Sequence, residues 1–213
     1  MDNSSEAALA TQLREGIAQL RLTLPETAVS QLLRYLALLV KWNRAYNLTA
    51  VRDPAAMVAR HLLDSLAVLP YVHGVCCADV GTGAGLPGIP LAIALPRTRF
   101  ALIDSNGKKT RFVAQAIAEL GLSNATAIQC RIENWQPPQP CDAVLSRAFA
   151  TLADMARACA HVLAPQGVLL AMKGIYPQQE LSELPERFKV DACHALHVPG
   201  AEGQRHLVEI RCR

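Results

Sequence analysis

Apolar residues in the N-terminal third of the chain recur at intervals of three and four positions, the spacing of an amphipathic helix. The pattern predicts helices over residues 5–22 and 25–44. A third helix is predicted to begin with Asp53 as its N-cap and Pro54 in its first turn. We therefore expect residues 1–72 to form an N-terminal helical cap.

From residue 75 onward the pattern changes, and short runs rich in β-forming residues alternate with helical segments. Such alternation indicates βαβ units and therefore a parallel sheet with helices on both faces. The predicted helices begin near Pro87 and cover residues 107–120 and 151–163. The predicted strands are residues 75–80, 99–104, 125–130, 141–146 and 167–173.

The C-terminal end departs from this alternation. Two strand-like runs, 188–198 and 205–212, are joined by "PGAEGQ" with no helix between them, which predicts a hairpin and hence one antiparallel strand. We predict an α/β fold for residues 73–213, a doubly wound and mostly parallel sheet of seven strands that ends in an antiparallel hairpin. This Rossmann-like architecture is typical of class I methyltransferases that use S-adenosylmethionine, and it differs from the all-parallel dinucleotide fold.

The composition is that of a globular protein. The 213 residues are 51% hydrophobic, which is enough for a large core, and the net charge of +3 permits a nucleic-acid partner without requiring one. No apolar run approaches the roughly 18 to 20 residues that span a bilayer, and the N-terminus is acidic, so we expect a soluble cytoplasmic protein with no membrane partner. The seven cysteines form no C-x-x-C pair, and we expect reduced thiols and no bound metal.

The segment "DVGTGAGLPG", residues 79–88, contains two overlapping glycine signatures. One of them, at Gly83, Gly85 and Gly88, fits G-x-G-x-x-G and predicts a dinucleotide site. The other begins earlier, at Gly81, and fits the methyl donor S-adenosylmethionine. The segment follows a predicted strand and precedes a predicted helix, so in either register its backbone can approach a ligand closely.

The register that begins at Gly81 fits the surrounding residues better. The dinucleotide register would place Asp79 and Thr82 inside a central strand, where apolar residues are expected. It would also leave Pro90 inside the next helix, where a missing N–H and a ring clash cost roughly 3 kcal/mol. With the turn at Gly81, Asp79 ends the strand and Pro90 falls near the first helical turn. We therefore expect this loop to hold S-adenosylmethionine.

Acidic residues follow the next two predicted strands. Asp104 ends the second strand, where its carboxylate can accept hydrogen bonds from both hydroxyls of a ribose or, alternatively, cap the helix that follows. Glu133 lies after the third strand, where it can meet an adenine, although a solvent-facing Glu before Trp135 would give the same pattern. With the glycine loop, these residues indicate an adenosine-containing cofactor.

Seven segments of the chain are more distinctive: "KWNRAYNLTAVRDP", "HLLDSL", "DVGTGAGLPGIPLAI", "LIDSNGKKTRF", "VLSRAFA", "AMKG" and "QRHLVEI". In order and spacing, over about residues 20–211, they resemble the RsmG (GidB) methyltransferases of bacteria. The resemblance implies that a methyl group passes from S-adenosylmethionine, leaving S-adenosylhomocysteine, to ring nitrogen 7 of guanine 527 in the 530 loop of 16S rRNA. The implied partner is 16S rRNA or the small ribosomal subunit, and we expect the protein to be a monomer.

The resemblance also implies cofactor contacts. In the family they fall at the first loop glycine, the residue before the Pro-Gly of the loop, the pair after the third strand and the arginine after the fourth. Asn134 and Gln204 stand where the family often has acids. With the residues inferred from the loop itself, the expected cofactor-binding residues are Asp79, Gly81, Thr82, Gly83, Gly85, Leu86, Asp104, Ile132, Glu133 and Arg147.

Methylation of a ring nitrogen makes few demands on catalytic side chains. Nitrogen 7 of guanine carries no proton, so no general base is expected, and the alignment of two bound groups can supply roughly 7 to 11 kcal/mol. Arg147 and Lys173 follow the fourth and fifth strands, at the sheet edge where substrates bind, and are predicted to face the guanine. The alternatives are a salt bridge from Arg147 to Asp142 or Asp154, and a merely solvated Lys173.

Further basic residues are candidates for the substrate side. His61 shares a helix face with Asp64 and is predicted either to lean over the pocket as a catalytic residue or to be structural. Arg205, Lys108 and Lys109 are candidate contacts to RNA. A charged outer face of an amphipathic helix is the alternative for the two lysines.

Other functions stay open on the residues alone. One is a methyltransferase of the same fold that acts on another RNA or a small molecule. A second, of a different class, is an NAD-dependent oxidoreductase that uses the Gly83 register. A third is a non-catalytic factor that binds rRNA during ribosome assembly.

Overall fold

The computed structural model describes residues 3–213, so residues 1–2 of the predicted cap lie outside the described residues. The predicted N-terminal helices are confirmed, and the Asp53 carboxylate caps the third by accepting hydrogen bonds from the backbone N–H groups of Ala55 and Ala56. That third helix differs from the prediction because its middle is a π-helix. The N-terminal helices are α1 (Asn3–Gln19), α2 (Glu26–Tyr46), α3 (Pro54–Met57), the π-helical segment Val58–Leu63 and α4 (Asp64–Leu66).

The predicted α/β fold is confirmed. Seven strands form one sheet in the order β3-β2-β1-β4-β5-β7-β6, and β7 runs antiparallel to both of its neighbours while the other pairs are parallel. The strands are β1 (Cys76–Val80), β2 (Arg99–Asp104), β3 (Ala125–Gln129), β4 (Cys141–Ser146), β5 (Leu163–Lys173), β6 (Phe188–Ala195) and β7 (His206–Cys212). The connecting helices are α5 (Gly88–Ala94), α6 (Gly107–Leu120), α7 (Leu152–Cys159) and α8 (Gln178–Ser182).

Besides the π-helical segment, α7 differs from the prediction of a helix over residues 151–163, since it ends at Cys159. Two further differences concern β5 and α8. Strand β5 begins at Leu163, not at residue 167, because Leu163 pairs with Cys141 across an irregularity in the β4–β5 register. Helix α8 was not predicted, since its five residues are too few to show a helical period. None of these differences changes the order of the strands.

The sheet is covered on both faces by separate hydrophobic clusters. Side chains of adjacent residues on a strand point to opposite faces. Accordingly, Leu102 and Leu145 belong to the cluster beneath α2, α5 and α6, while Ile103 and Val144 belong to the cluster beneath α7. Residues of α1 and α2 are part of the first cluster, so the N-terminal helices share a core with one face of the sheet. The division of the chain at residue 72 stays a prediction.

The N-terminal helices are also tied to the sheet by polar contacts. The hydroxyl of Tyr35, on α2, donates a hydrogen bond of 2.6 Å to the carbonyl oxygen of Ala84 in the loop after β1. Tyr35 is fully buried, and burial raises the pKa of its phenol. Gln31 donates a further hydrogen bond from α2 to the carbonyl of Leu120, at the end of α6. Helix α2 therefore positions the loop after β1.

The remaining expectations concern cysteines, membranes and metals. All seven cysteines are free thiols, three of them buried, three half-buried and Cys212 exposed. Between residues 3 and 213, no helix is long and apolar enough to cross a membrane. The same residues hold no cluster of three His, Cys, Asp or Glu side chains arranged to bind a metal ion.

We predict that Tyr35→Phe lowers the free energy of unfolding by about 1 to 3 kcal/mol, because it leaves the buried carbonyl of Ala84 without its donor. Urea unfolding followed by circular dichroism measures the change. Tyr46→Phe is the control, since the Tyr46 side chain is 39% exposed, and its unfolding midpoint should match that of the wild type. Equal stability of all three proteins would contradict the role of the Tyr35 hydroxyl.

Candidate active site

The glycine loop turns away from the sheet immediately after Val80. The backbone N–H groups of Gly81 and Thr82 both donate to the carbonyl oxygen of Ile103, at 2.8 and 3.0 Å, which ends β1 against β2. Helix α5 then begins at Gly88. The register predicted from Gly81 is confirmed, because the strand ends before Gly83.

Asp79 organises this loop from the inside. Its Oδ2 accepts hydrogen bonds from the Thr82 hydroxyl at 2.6 Å and from the N–H of Gly88 at 2.8 Å. The side chain is fully buried, and this burial raises the pKa of the carboxyl group to about 6. Its Oδ1 is buried and has no hydrogen-bond partner among the described residues. The carboxylate thus closes the loop, and direct contact of Asp79 with the cofactor stays a prediction.

Two glycines of the loop differ in what surrounds them. A Cβ on Gly81 would overlap the Cβ of Ala148, so the backbone there packs against the loop after β4. Gly83 has a φ of +60°, and the nearest heavy atom to its hypothetical Cβ is the Gly81 carbonyl oxygen at 3.9 Å. Gly83 therefore presents an open stretch of backbone that a ligand can approach.

A first cavity, of about 170 Å³, lies between the glycine loop and the end of β3. Asp104 is on its wall, and each carboxylate oxygen accepts one backbone hydrogen bond, from Gly83 at 2.9 Å and from Asn106 at 2.8 Å. Each oxygen retains capacity for a further donor. A single turn of 3₁₀-helix adds the buried Ile132 and the exposed Glu133 to the same wall. These groups suit a ribose beside an adenine.

A second cavity, of about 190 Å³, lies on the other side of Gly81. Gly81 lines both cavities, so the two adjoin across the loop. Of the predicted cofactor residues, Gly85 and Asp79 line neither cavity. The residues around the second cavity are Leu48, Thr49, His61, Gly81, Thr82, Gly83, Ala84, Leu86, Arg147 and Ala148.

The third and largest of these cavities, about 380 Å³, is rich in cationic side chains. His61 and Arg147 line both it and the second cavity, so the three cavities are neighbours in a row. Arg205 is also on its wall, whereas Lys108 and Lys109 lie at the start of α6 and line none of the three cavities. Its charged and histidine residues are Arg60, His61, Asp64, Arg147, Lys173, Arg205 and His206.

His61 lies where the second and third cavities meet, and its ring is held on both sides. Nδ1 is 2.9 Å from the carbonyl oxygen of Arg60, which can only accept, so Nδ1 carries the proton and donates. Nε2, 2.9 Å from the Thr49 hydroxyl, is then an acceptor. The Thr49 oxygen in turn accepts the N–H of Val51. Burial, the largest influence, lowers the pKa of His61, so the ring is neutral at pH 7 and its lone pair is already engaged.

Lys173 is largely committed to partners within the protein. Its Nζ forms a 2.8 Å ion pair with Glu180 and donates to the carbonyl oxygen of Ala150 at 2.9 Å. Glu180 also accepts the N–H of Leu152, at the start of α7. The amine thereby anchors the segment between β4 and α7, which carries Arg147. Contact of Lys173 with substrate stays a prediction.

Arg147 pairs with neither of the aspartates considered from the sequence. The Asp142 carboxylate accepts backbone hydrogen bonds from Val75 and Cys76, and Asp154 pairs with Arg157 on the same helix. Nη1 of Arg147 instead lies 3.1 Å from Oδ2 of Asp64, and Nε of Arg205 lies 3.0 Å from Oδ1 of the same residue. The salt-bridge partners considered as the alternative were wrong, because Asp64 reaches Arg147 only through the tertiary fold, and contact of Arg147 with the guanine stays a prediction.

Several site residues escaped the sequence prediction, among them His206 on the wall of the largest cavity. Thr49, Arg60 and Glu180 line the cavities or fix the residues that do. Thr49 and Arg60 lie in segments whose apolar pattern predicts only packing, and Glu180 lies in the unpredicted helix α8. Among the sequence signals, only the position of Arg60 beside His61 could have directed attention to it.

Comparison with known proteins identifies close relatives. A family model described as rRNA small subunit methyltransferase G (GidB) matches residues 28–208. The Ribosomal RNA small subunit methyltransferase G of Pseudomonas aeruginosa is 52% identical over 204 residues, covering 95% of each chain. The protein of the same name from Marinobacter nauticus is 54% identical over 197 residues, covering 92% of each chain.

Solved structures that resemble the chain are methyltransferases of low sequence identity. The O-methyltransferase TomG from Streptomyces achromogenes, in complex with S-adenosylmethionine, has a TM-score of 0.59 and 15% identity and covers 84% of this chain and 89% of its own. The glycopeptide N-methyltransferase MtfA, complexed with S-adenosylhomocysteine, has a TM-score of 0.62 and 11% identity, with coverage of 72% and 87%. At such identities the similarity concerns the fold.

We predict that Asp79→Asn changes how stability depends on pH. The pKa of Asp79 is about 6 in the fold and about 4 in the unfolded chain. The folded state therefore binds the proton more strongly, and this contribution to stability, present below about pH 4, is lost as the pH rises through about 6. Because asparagine stays neutral, the stability of the variant relative to the wild type should improve by up to about 3 kcal/mol between pH 4 and pH 7.5.

Urea unfolding at the two pH values measures this difference. Any penalty from the new amide N–H groups does not depend on pH and cancels in the comparison. Asp154→Asn is the control, because the pKa of the exposed Asp154 is lowered by the Thr151 hydroxyl and Arg157, and that variant should show no such gain. If the free energies of unfolding of Asp79→Asn and the wild type changed equally with pH, the raised pKa of the buried Asp79 carboxyl group would be contradicted.

Proposed function

We propose the following function for this chain, which belongs to the GidB family of rRNA small subunit methyltransferases G. The proposed activity is transfer of a methyl group from S-adenosylmethionine to ring nitrogen 7 of guanine 527, in the 530 loop of bacterial 16S rRNA. The product of the cofactor is S-adenosylhomocysteine. The partner is 16S rRNA or the small ribosomal subunit in the cytoplasm, and we propose that the protein acts as a monomer, with residues 1–72 as a cap on a catalytic domain of residues 73–213.

The observation that carries this proposal is the row of three cavities. The first offers a carboxylate with free acceptor capacity at Asp104, the second the open backbone of Gly83, and the third a cationic wall. Such a row suits an adenosine, an amino-acid tail and a nucleotide from an RNA strand, in that order. Arg147 lies at the junction of the second and third cavities, where a methyl donor and its acceptor would meet.

The protein groups at this junction suit a ring nitrogen as the acceptor. S-adenosylmethionine would supply an electrophilic methyl group on a positively charged sulfur. The lone pair of His61 is engaged by Thr49, and Asp64 is engaged by two arginines, so neither is free to remove a proton. Nitrogen 7 of guanine needs no such removal. The residues of the site therefore bind and align the reactants, which supplies most of the expected rate enhancement.

Arginine side chains would hold the base and its strand. The guanidinium of Arg147 can donate in parallel to nitrogen 7 and the neighbouring carbonyl of a guanine or to a phosphate. For the methyl transfer itself nitrogen 7 must be free, so we propose that Arg147 binds the carbonyl edge or a phosphate. Lys173 supports Arg147 indirectly, since it anchors the segment that follows β4.

We predict that the protein methylates a single guanine. Labelled S-adenosylmethionine should be incubated with unmodified small subunits, with naked 16S rRNA and with a pool of metabolites. The label should enter 16S rRNA at guanine 527 as 7-methylguanine, located by borohydride reduction and strand cleavage with aniline. Labelled small molecules without labelled RNA would overturn the proposed substrate, and stabilisation by NAD alone in a thermal-shift assay would overturn the proposed cofactor.

We predict that Asp104→Ala weakens the binding of S-adenosylmethionine about 100-fold or more, because it removes the acceptor proposed for two ribose hydroxyls. Isothermal titration calorimetry measures the affinity. The matched control is Asp53→Ala, because Asp53 also accepts two backbone N–H groups but lies outside the three cavities. Unchanged affinity in Asp104→Ala, or equal losses in both variants, would contradict the assignment.

A further inference from the structure

Asp64 is a buried carboxylate on the wall of the largest cavity. The residue is only 4% exposed. Its Oδ1 and Oδ2 each pair with a different guanidinium, that of Arg205 at 3.0 Å and that of Arg147 at 3.1 Å. Both arginines keep part of their surface exposed, 23% and 31% of their side chains. One carboxylate therefore fixes two cations that still face the cavity.

The three partners come from distant parts of the chain. Asp64 begins α4, directly after the π-helical segment, whereas Arg205 precedes β7, 141 residues later. The wider turn of a π-helix is uncommon and is frequent at functional sites. Here the N–H of Asp64 closes that turn on the carbonyl oxygen of Ala59. The irregular turn places the carboxylate between two strand ends.

The remaining donors of the two arginines are available to a ligand. Arg205 uses Nε for Asp64 and Nη1 for the carbonyl oxygen of Gln204, which leaves Nη2. Arg147 uses only Nη1, among the contacts of the described residues. The two guanidiniums share one carboxylate and line the same cavity. Arginine N–H groups arranged in this way match the oxygens of a phosphate.

We propose that Asp64 is a positioning residue, which holds Arg147 and Arg205 as one receptor for a backbone phosphate of the RNA strand beside the target base. The inference rests on the proposed function, since it names how that same site grips its RNA. Asp64 does not contact the reacting atoms. Its charge sets the direction of the two guanidiniums, and Arg60 adds a further cation to the same cavity.

Replacing Asp64 by asparagine separates this role from simple electrostatic attraction. Asp64→Asn keeps the shape of the side chain but removes the charge that orients both arginines, and it makes the cavity more positive. Affinity for RNA at low salt should therefore stay equal or increase, with a steeper dependence on salt concentration. Turnover should fall about 100-fold, because the target base is no longer held in line with the methyl donor.

The experiment measures RNA affinity against salt concentration, kcat and KM on unmodified small subunits, and the affinity for S-adenosylmethionine by calorimetry. We expect a large loss in kcat for Asp64→Asn with unchanged affinity for the methyl donor. Asp64→Glu keeps the charge and should recover part of the lost turnover. An unchanged kcat, or a loss of RNA affinity that accounts for the whole defect, would overturn the inference.

A matched control exists on the far edge of the sheet. Asp191 likewise lies between two cations, Lys189 at 2.9 Å and Arg211 at 2.7 Å, on the outermost strand β6. Asp191→Asn makes the same change of net charge, and its kcat should equal that of the wild type. A loss of turnover as large as that of Asp64→Asn would show that net charge, and not positioning, is responsible.

A double-mutant cycle separates a loss of positioning from a general loss of structure in Asp64→Asn. If Asp64 acts through Arg205, then Asp64→Asn should lower kcat much less in an Arg205→Gln background than in the wild type. Purely additive losses would overturn the inference. If the proposed function is wrong, the wild-type protein will methylate no RNA at all. If the wild type is active and Asp64→Asn is equally active, only the role of Asp64 is overturned.

Discussion

The site depends on one buried carboxylate at the end of β1. Asp79 binds the hydroxyl of Thr82 and the N–H of Gly88 with the same oxygen, and so joins the start of the glycine loop to the start of α5. The loop must then curve outward between these two points, which leaves the backbone of Gly83 exposed to a ligand. A negative charge on Asp79 is unfavourable in this buried position, since burial raises the pKa of its carboxyl group to about 6.

The N-terminal region supplies further contacts that hold the residues of the site in place. Tyr35 fixes the loop at Ala84, Thr49 fixes the ring of His61, and Asp64 fixes two arginines from the far half of the chain. Tyr35 and Asp64 lie on helices and Thr49 lies in the loop between α2 and α3, all in the N-terminal region that shares a hydrophobic core with the sheet. The same region therefore contributes to the glycine loop and to the cationic cavity, an arrangement that suits a reaction relying on alignment more than on proton transfer.

The strands and the glycine loop were predictable because their signals are local. The bounds of β2, β4 and α6 match the sequence prediction, since β-branched runs and a helical period identify such elements directly. The polarity of Asp79 and the position of Pro90 identified the register of the loop. The π-helical turn and helix α8 carried no such signal, because tertiary packing stabilises them and their own residues show no distinctive period.

The sequence by itself determined the fold class, the cofactor loop and the family to which the chain belongs, because strand patterning, glycine spacing and long motifs are properties of contiguous residues. Only the tertiary structure decided the partners of the candidate catalytic residues. Only aspartates near Arg147 in the chain were considered as its alternative salt-bridge partners, whereas the structure pairs it with Asp64 on another layer of the protein. Lys173 lines the largest cavity, and only the structure shows that its amine binds Glu180 and a backbone carbonyl. Charged side chains select partners by distance in space, and a sequence records only distance along the chain.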